Sequence, residues 1–151
     1  MKNSTAGLLV AGAMALAVPG TSMAQGMITV GPPPAAEEPT ERPVTISDAQ
    51  AASGSDAYDR YCVICHGPNL NDGEFGGPPL RGLSFDESFG ELPVSVLYSY
   101  IHATMPPDRP GQISHRDRTD IIAYILSRNG YAEGTPLPYD VQALDLLILE
   151  K

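Results

Sequence analysis

The densest chemistry in this chain lies in five consecutive residues, Cys62-Val63-Ile64-Cys65-His66. Two thiols at this spacing sit one helical turn apart, so both can form thioethers with the two vinyl groups of a single haem. A histidine directly after the second thiol then faces the iron from the same side. Other uses of the spacing need surroundings that are missing. A thioredoxin-like redox pair needs a βαβ setting. A structural zinc site needs two further ligands, yet the chain has two Cys in all, and His102 and His115 stand thirteen positions apart. A bare disulfide would close a loop of only four residues. The reading is covalent attachment of one haem c through Cys62 and Cys65, with His66 as an iron ligand.

A second axial ligand comes from a short list. Beyond residue 24 the chain contains two methionines, Met27 and Met105. Met27 lies in a Pro-rich stretch, whereas Met105 directly precedes Pro106-Pro107, whose fixed φ would stiffen the backbone beside the iron. Met105 is the first choice. His102, on the same segment, is the competitor, and an open or water-bound position is the third option. His115 reads as a first-turn surface residue of a helix.

The elements that must position these groups can be traced from the start of the chain. Lys2, the apolar run 6–18, the Pro19-Gly20 break and Ser22-Met23-Ala24 read as a signal peptide, residues 1–24, cleaved after Ala24. Such a chain works in a periplasm. Residues 25–46 hold five prolines and few large apolar groups, and read as a disordered leader serving as a tether. Order is expected from Ser47, where Ser47-x-x-Gln50 is a candidate capping box for an Ala-rich helix through Tyr61. Gly54 interrupts that helix at a cost of about 1 kcal/mol relative to Ala, which calls for a packing reason. Residues 63–91, with six Gly and three Pro, show no sustained periodicity and read as a long loop covering a ligand. A second helix is predicted over 93–103 and a third from the Ser114-x-x-Asp117 box to Asn129, with Gly130 as its C′ residue. No sheet is expected. Three short helices bury little core unaided, so a cofactor must fill the middle.

With these residues in place, the segment from about Ser47 to Gly130 resembles a class I c-type cytochrome. The resemblance rests on Gly54-x-x-x-Tyr58 before the Cys62-x-x-Cys65-His66 motif, Gly77-Pro78-Pro79-Leu80, Met105-Pro106 and the late aromatic Tyr124. It implies an all-α fold, three main short helices and long Gly/Pro-rich loops around one covalently bound haem. Residues 131–151 read as a C-terminal extension whose apolar end, Leu144 to Leu149, is too apolar for a free tail and packs on the domain, with addition to a partner as the alternative. The resemblance also implies that the first helix crosses the last at Gly54, with Tyr58 and Tyr124 at the crossing. The Pro78 carbonyl would take the proton of His66 Nδ1. Arg81 is a candidate partner for a haem propionate, with an ordinary surface role as the alternative. Residues 97–138 are further similar to small cytochromes associated with periplasmic quinoprotein (PQQ) dehydrogenases.

Composition narrows the function classes. Among 151 residues there are 18 acidic and 9 basic side chains, a formal charge of −9, which argues against nucleic acid and anionic membranes. No apolar run reaches the ~20 residues of a membrane span. Residues 37–91 carry eleven acids against three Arg, net −8. This is either a solvated surface or a field that steers a basic partner. Nothing in the sequence offers a substrate pocket. The expectation is a periplasmic one-electron carrier, not an enzyme, or else an electron-transfer subunit of a dehydrogenase complex. Its donor would be a quinoprotein dehydrogenase, and its acceptor a terminal oxidase or another cytochrome. A haem enzyme or gas-binding protein with an open iron site is the remaining alternative.

Overall fold

The computed structural model describes residues 40–151, all within the compact unit Glu37–Lys151. The expected signal peptide and residues 25–39 of the leader lie outside the described residues. Six helices and one pair of very short strands appear among them. None of the helices is long and apolar enough to cross a membrane.

Helix α1 (Asp48–Tyr61) starts where Ser47 leaves helical dihedrals and its side chain accepts the Gln50 N–H at 3.3 Å. Only half of the expected capping box forms. The Gln50 side chain turns away and clasps the Leu137 backbone, donating from Nε2 at 3.1 Å and accepting at Oε1 from the amide at 2.7 Å. A buried amide that meets one N–H and one C=O satisfies both its groups, which the box would not have done.

The stretch expected as continuous loop contains two helices. Helix α2 (Val63–His66) continues α1 after a break at Cys62, and α3 (Leu83–Phe89) follows Gly82. No side chain caps α3, so the sequence carries no start signal for it; burial of Phe85 and its ring contact with Phe89 at 5.5 Å hold it down. Helix α4 (Val94–Thr104) begins after Pro93 and ends at Met105. Helix α5 (His115–Arg128) is capped by Ser114, whose side chain accepts the Asp117 N–H at 3.0 Å, and is closed by Asn129 and Gly130, the latter at φ 79°. A single-turn helix α6 (Val141–Leu144) follows.

The most extensive helix contact is between α1 and α5. Gly54 permits it. A Cβ there would stand 1.8 Å from the Asp120 carbonyl oxygen and 2.9 Å from the Tyr124 side chain, so the backbones touch. Tyr58 and Tyr124 meet at the same crossing with ring centroids 5.2 Å apart.

The ordered chain begins before Ser47, which corrects the expected leader boundary. Strand β1 (Arg42–Pro43) pairs in parallel with β2 (Leu147–Ile148), and Val44 and Ile46 are buried. Val44 N–H donates to Ile148 O at 2.9 Å, and Ile46 exchanges backbone bonds with Ala132 and Gly134. Pairing partners roughly a hundred positions apart leave no local signal. Leu144, Leu147 and Leu149 are buried against this arrangement, and Leu149 bonds the backbone of Glu91 and Leu92.

Candidate functional site

The Cys62–His66 segment forms one tight turn. Cys62 ends α1 and begins α2, and its carbonyl accepts the N–H groups of Cys65 at 3.1 Å and His66 at 2.9 Å. Both thiols are free and half-buried. Burial, with a smaller effect from Cys65, pushes the Cys62 thiol up to about 12. That is the opposite of the depressed value found in redox-active or nucleophilic cysteines.

The segment 67–82 folds back over this turn. Gly77 N–H donates to the Cys65 carbonyl at 2.8 Å, and Leu80 N–H to Leu70 O at 2.7 Å. Gly73 and Gly77 make the approach possible, since a Cβ at either would stand 1.9 or 2.6 Å from the Cys65 oxygen. The return places the Pro78 carbonyl 2.9 Å from His66 Nδ1. A carbonyl can only accept, so Nδ1 carries the proton and Nε2 keeps a lone pair free for a metal. Tyr58 locks the turn from below. Its hydroxyl donates to Gly67 O at 2.8 Å, and burial raises its phenol far above the ordinary range. Asn129 ties the other end of the loop to α5, donating to Leu80 O at 2.9 Å and accepting from Gly82 N–H at 2.9 Å.

These elements enclose a cavity of 930 Å³. That is the upper end of the roughly 300–1,000 Å³ usual for ligand and cofactor sites. Cys62, Cys65, His66 and Met105 all line it, together with Pro78 and an apolar wall of Leu97, Ile101, Ile113, Ile121 and Ile125. His102 is exposed and is not among the lining residues, although it lies one turn from Met105. Met105 is brought in by its position as the extended C-cap of α4, with φ −121° and ψ 141°. His115 faces away from the cavity; its Nε2–H donates to Tyr139 O at 2.8 Å, and Nδ1 accepts from Tyr98.

Arg81 does not line the cavity. The arginines that do are Arg60 and Arg109, both exposed, the first 3.4 Å from Asp117 and the second 3.0 Å from Asp108. Arg60 and Arg109 are thus the arginines at the cavity, and Arg81, the expected propionate partner, stands outside its lining. The sequence signal was weak because each lies next to an acid in the sequence (Asp59 and Asp108) and reads as ordinary surface charge.

A mostly helical chain that folds a Cys-x-x-Cys-His turn and a distant methionine onto one apolar cavity has the architecture of a class I c-type cytochrome. Residues 49–125 match the family described as cytochrome c oxidase, cbb3-type, subunit III, and the chain belongs to that family. The family implies haem c and electron transfer, and its domains are typically extracytoplasmic. The chain is also similar to thiosulfate dehydrogenase of Stutzerimonas stutzeri (strain A1501), at 31% identity over 81 residues, 50% of this chain and 26% of that protein. It therefore spans about a quarter of that relative's length. No solved structure matches.

The donor set fits the cofactor. Two thiols one turn apart can add to two vinyl groups, an imidazole of fixed tautomer offers Nε2, and a thioether lines the same apolar-walled cavity.

Proposed function

We propose that the chain is a periplasmic one-electron carrier holding one covalent haem c, with Cys62 and Cys65 as thioether anchors and His66 and Met105 as axial ligands. The observation that carries this reading is the convergence of these four residues on one apolar cavity. When bound, haem supplies reversible Fe(III)/Fe(II) exchange. Cys62 and Cys65 hold it against loss outside the cell. The Pro78 carbonyl keeps the His66 ring oriented and its Nε2 basic. Met105 contributes a soft thioether that favours the ferrous state. The apolar wall of Leu97, Ile101, Ile113, Ile121 and Ile125 would shield a bound haem from water. Arg60 and Arg109 are the cations available to propionates.

Its donor is a periplasmic dehydrogenase of the quinoprotein type, and its acceptor a terminal oxidase or a further cytochrome. Similarity to the dehydrogenase-associated cytochromes over residues 97–138 supports the donor, and the oxidase-subunit family supports the acceptor. The attachment is tested by acid-acetone extraction and mass spectrometry of the native protein. One haem retained per chain is expected, lost only when both cysteines are replaced; extraction of all colour would reject it.

The likeness to a thiosulfate dehydrogenase favours a second reading, in which the chain is the electron-transfer part of a thiosulfate-oxidising complex. Thiosulfate alone should leave the oxidised carrier oxidised. Direct reduction by thiosulfate would make the chain itself the enzyme.

A further inference from the structure

The side of α5 next to the cavity wall holds a charge that the carrier reading does not use. Arg118 is 4% exposed. Its guanidinium lies over the Tyr98 ring at 4.6 Å, donates to the Tyr98 hydroxyl, and donates through the other terminal nitrogen to Ile113 O at 2.7 Å. Its Nε has no hydrogen-bond partner among the described residues, and no described carboxylate lies within salt-bridge distance. The two acids nearest in sequence are engaged elsewhere: Asp117 pairs with Arg60 at 3.4 Å, and Asp120 accepts from the Tyr139 hydroxyl at 2.7 Å and stands 3.9 Å from Arg116. The other titratable group facing the cluster is His115, which accepts from Tyr98.

A guanidinium keeps its charge in a protein. Buried without a counter-ion, it costs free energy, and a well-packed apolar side chain of similar volume generally serves stability as well or better. Stability alone therefore gives no reason for an arginine here. Position gives one. Ile113, which accepts from Arg118, lines the cavity, and so does Leu97, the neighbour of Tyr98 in α4. Arg118 and Tyr98 do not themselves line the cavity, and the wall on their side, Leu97, Ile113, Ile121 and Ile125, is apolar. In such a medium a unit charge acts many times more strongly than across water.

We propose, resting on the haem reading above, that Arg118 is a potential-setting residue whose buried, uncompensated charge makes the ferrous state of the haem iron the favoured one. The couple exchanges one electron with the redox partner, and no bond is made or broken. Oxidation adds one positive charge to the iron, which Arg118 opposes; reduction removes it. Tyr98 serves as a positioning residue, holding the guanidinium by its ring and its oxygen.

The test is an equilibrium redox titration of the haem-loaded full chain and four variants, with the axial ligation followed by absorption spectrum and cyanide binding. Arg118→Met and Arg118→Gln remove the charge at similar length. Each is expected to lower the equilibrium constant for reduction at least tenfold, 59 mV for one electron, with the spectrum and slow cyanide binding of the parent. Arg118→Lys keeps the charge and loses the fork, and Tyr98→Phe keeps the charge and loses the oxygen. Both are expected to stay within threefold of the parent. Neutral variants that match the parental potential would overturn the proposal. So would an Arg118→Lys potential as low as theirs, because geometry rather than charge would then be at work. If neither neutral variant folds, Arg118→Lys is titrated beside the parent at rising pH, because a buried lysine can lose its proton and arginine cannot. A potential that falls below the parent's as the lysine charge is lost supports the proposal, and one that tracks the parent throughout overturns it. A parent that holds no haem c, or binds cyanide at once, would instead reject the haem reading itself.

Discussion

Met105 does little for the helix it ends, since its N–H bond to Ile101 O at 3.0 Å would form with any residue. What distinguishes it is a side chain that reaches the cavity wall, where Cys62, Cys65 and His66 also stand. Met105→Ala is therefore expected to leave haem attached while opening one axial position. Cyanide or carbon monoxide should bind rapidly, and the equilibrium constant for reduction should fall more than tenfold, 59 mV for one electron, because a soft ligand favouring Fe(II) is lost. His102→Ala should change neither quantity. Stopped-flow cyanide binding with a redox titration checks both, and the reverse pattern would move the axial assignment to His102. At this scale the sequence was informative wherever spacing constrains chemistry. Cys62, Cys65, His66 and Met105 were legible because few residues of their types exist and their separations are restrictive. Gln50 and Asn129 were not, because their roles depend on which backbone groups arrive beside them from distant segments, and Arg60 and Arg109 read as surface charge beside Asp59 and Asp108.

Helix boundaries show where local signals stop. Helices α1, α4 and α5 carry their own punctuation in Ser47, Pro93, Ser114 and Gly130, whereas α3 has no side-chain cap and β1 pairs with a strand over a hundred residues later. The glycine inside α1 was legible as an anomaly, and the crossing with α5 supplies its cause. Gly54→Val should cost about 3 kcal/mol, the upper end of overpacking, since its Cβ would have to displace the Asp120 carbonyl. Urea denaturation of the holo-protein checks it; an unchanged midpoint would mean that α1 and α5 do not touch at this point.

The C-terminal segment offers a pH-dependent counterpart. Tyr131 is buried, and burial, aided by Asp86, raises its phenol from the ordinary 10 to about 12. The unfolded chain ionises this group first, so its contribution is complete below pH 10 and lost as pH rises toward 12. Stability should fall between those values, and Tyr131→Phe should flatten part of the fall in urea midpoints measured at successive pH values.

At the scale of the whole molecule the net charge of −9 is unevenly spread, with −8 on residues 37–91. Structure sorts these acids by how free they are to act at a distance. Asp86 is tied to Lys151 at 2.7 Å and Asp72 to Asn69 at 2.8 Å, the latter's carboxyl lowered by those hydrogen bonds. Asp56, Asp59 and Glu74 are exposed without such ties, and Asp59 lines the cavity, as do Ile64 and Phe75, two exposed apolar side chains. At the cavity itself Asp59 and Asp108 are balanced by Arg60 and Arg109, so the acidic excess belongs to the wider surface of residues 37–91. Such a field suits brief docking with a basic partner surface, where charge sets the encounter rate more than the affinity. Reduction by the proposed donor dehydrogenase should then be fast at low ionic strength. It should slow as the Debye length shrinks from ~30 Å at 0.01 M to ~10 Å at 0.1 M. The triple change Asp56→Asn, Asp59→Asn, Glu74→Gln should lower the rate at low salt about tenfold, within the range steering provides, and flatten its salt dependence with the haem spectrum unaltered. Stopped-flow reduction with the dehydrogenase and its substrate reads both. A rate indifferent to salt and to these three carboxylates would leave the carrier role intact and remove steering. A rate that rises with salt would point to an acidic partner surface, which excludes this face as the docking site.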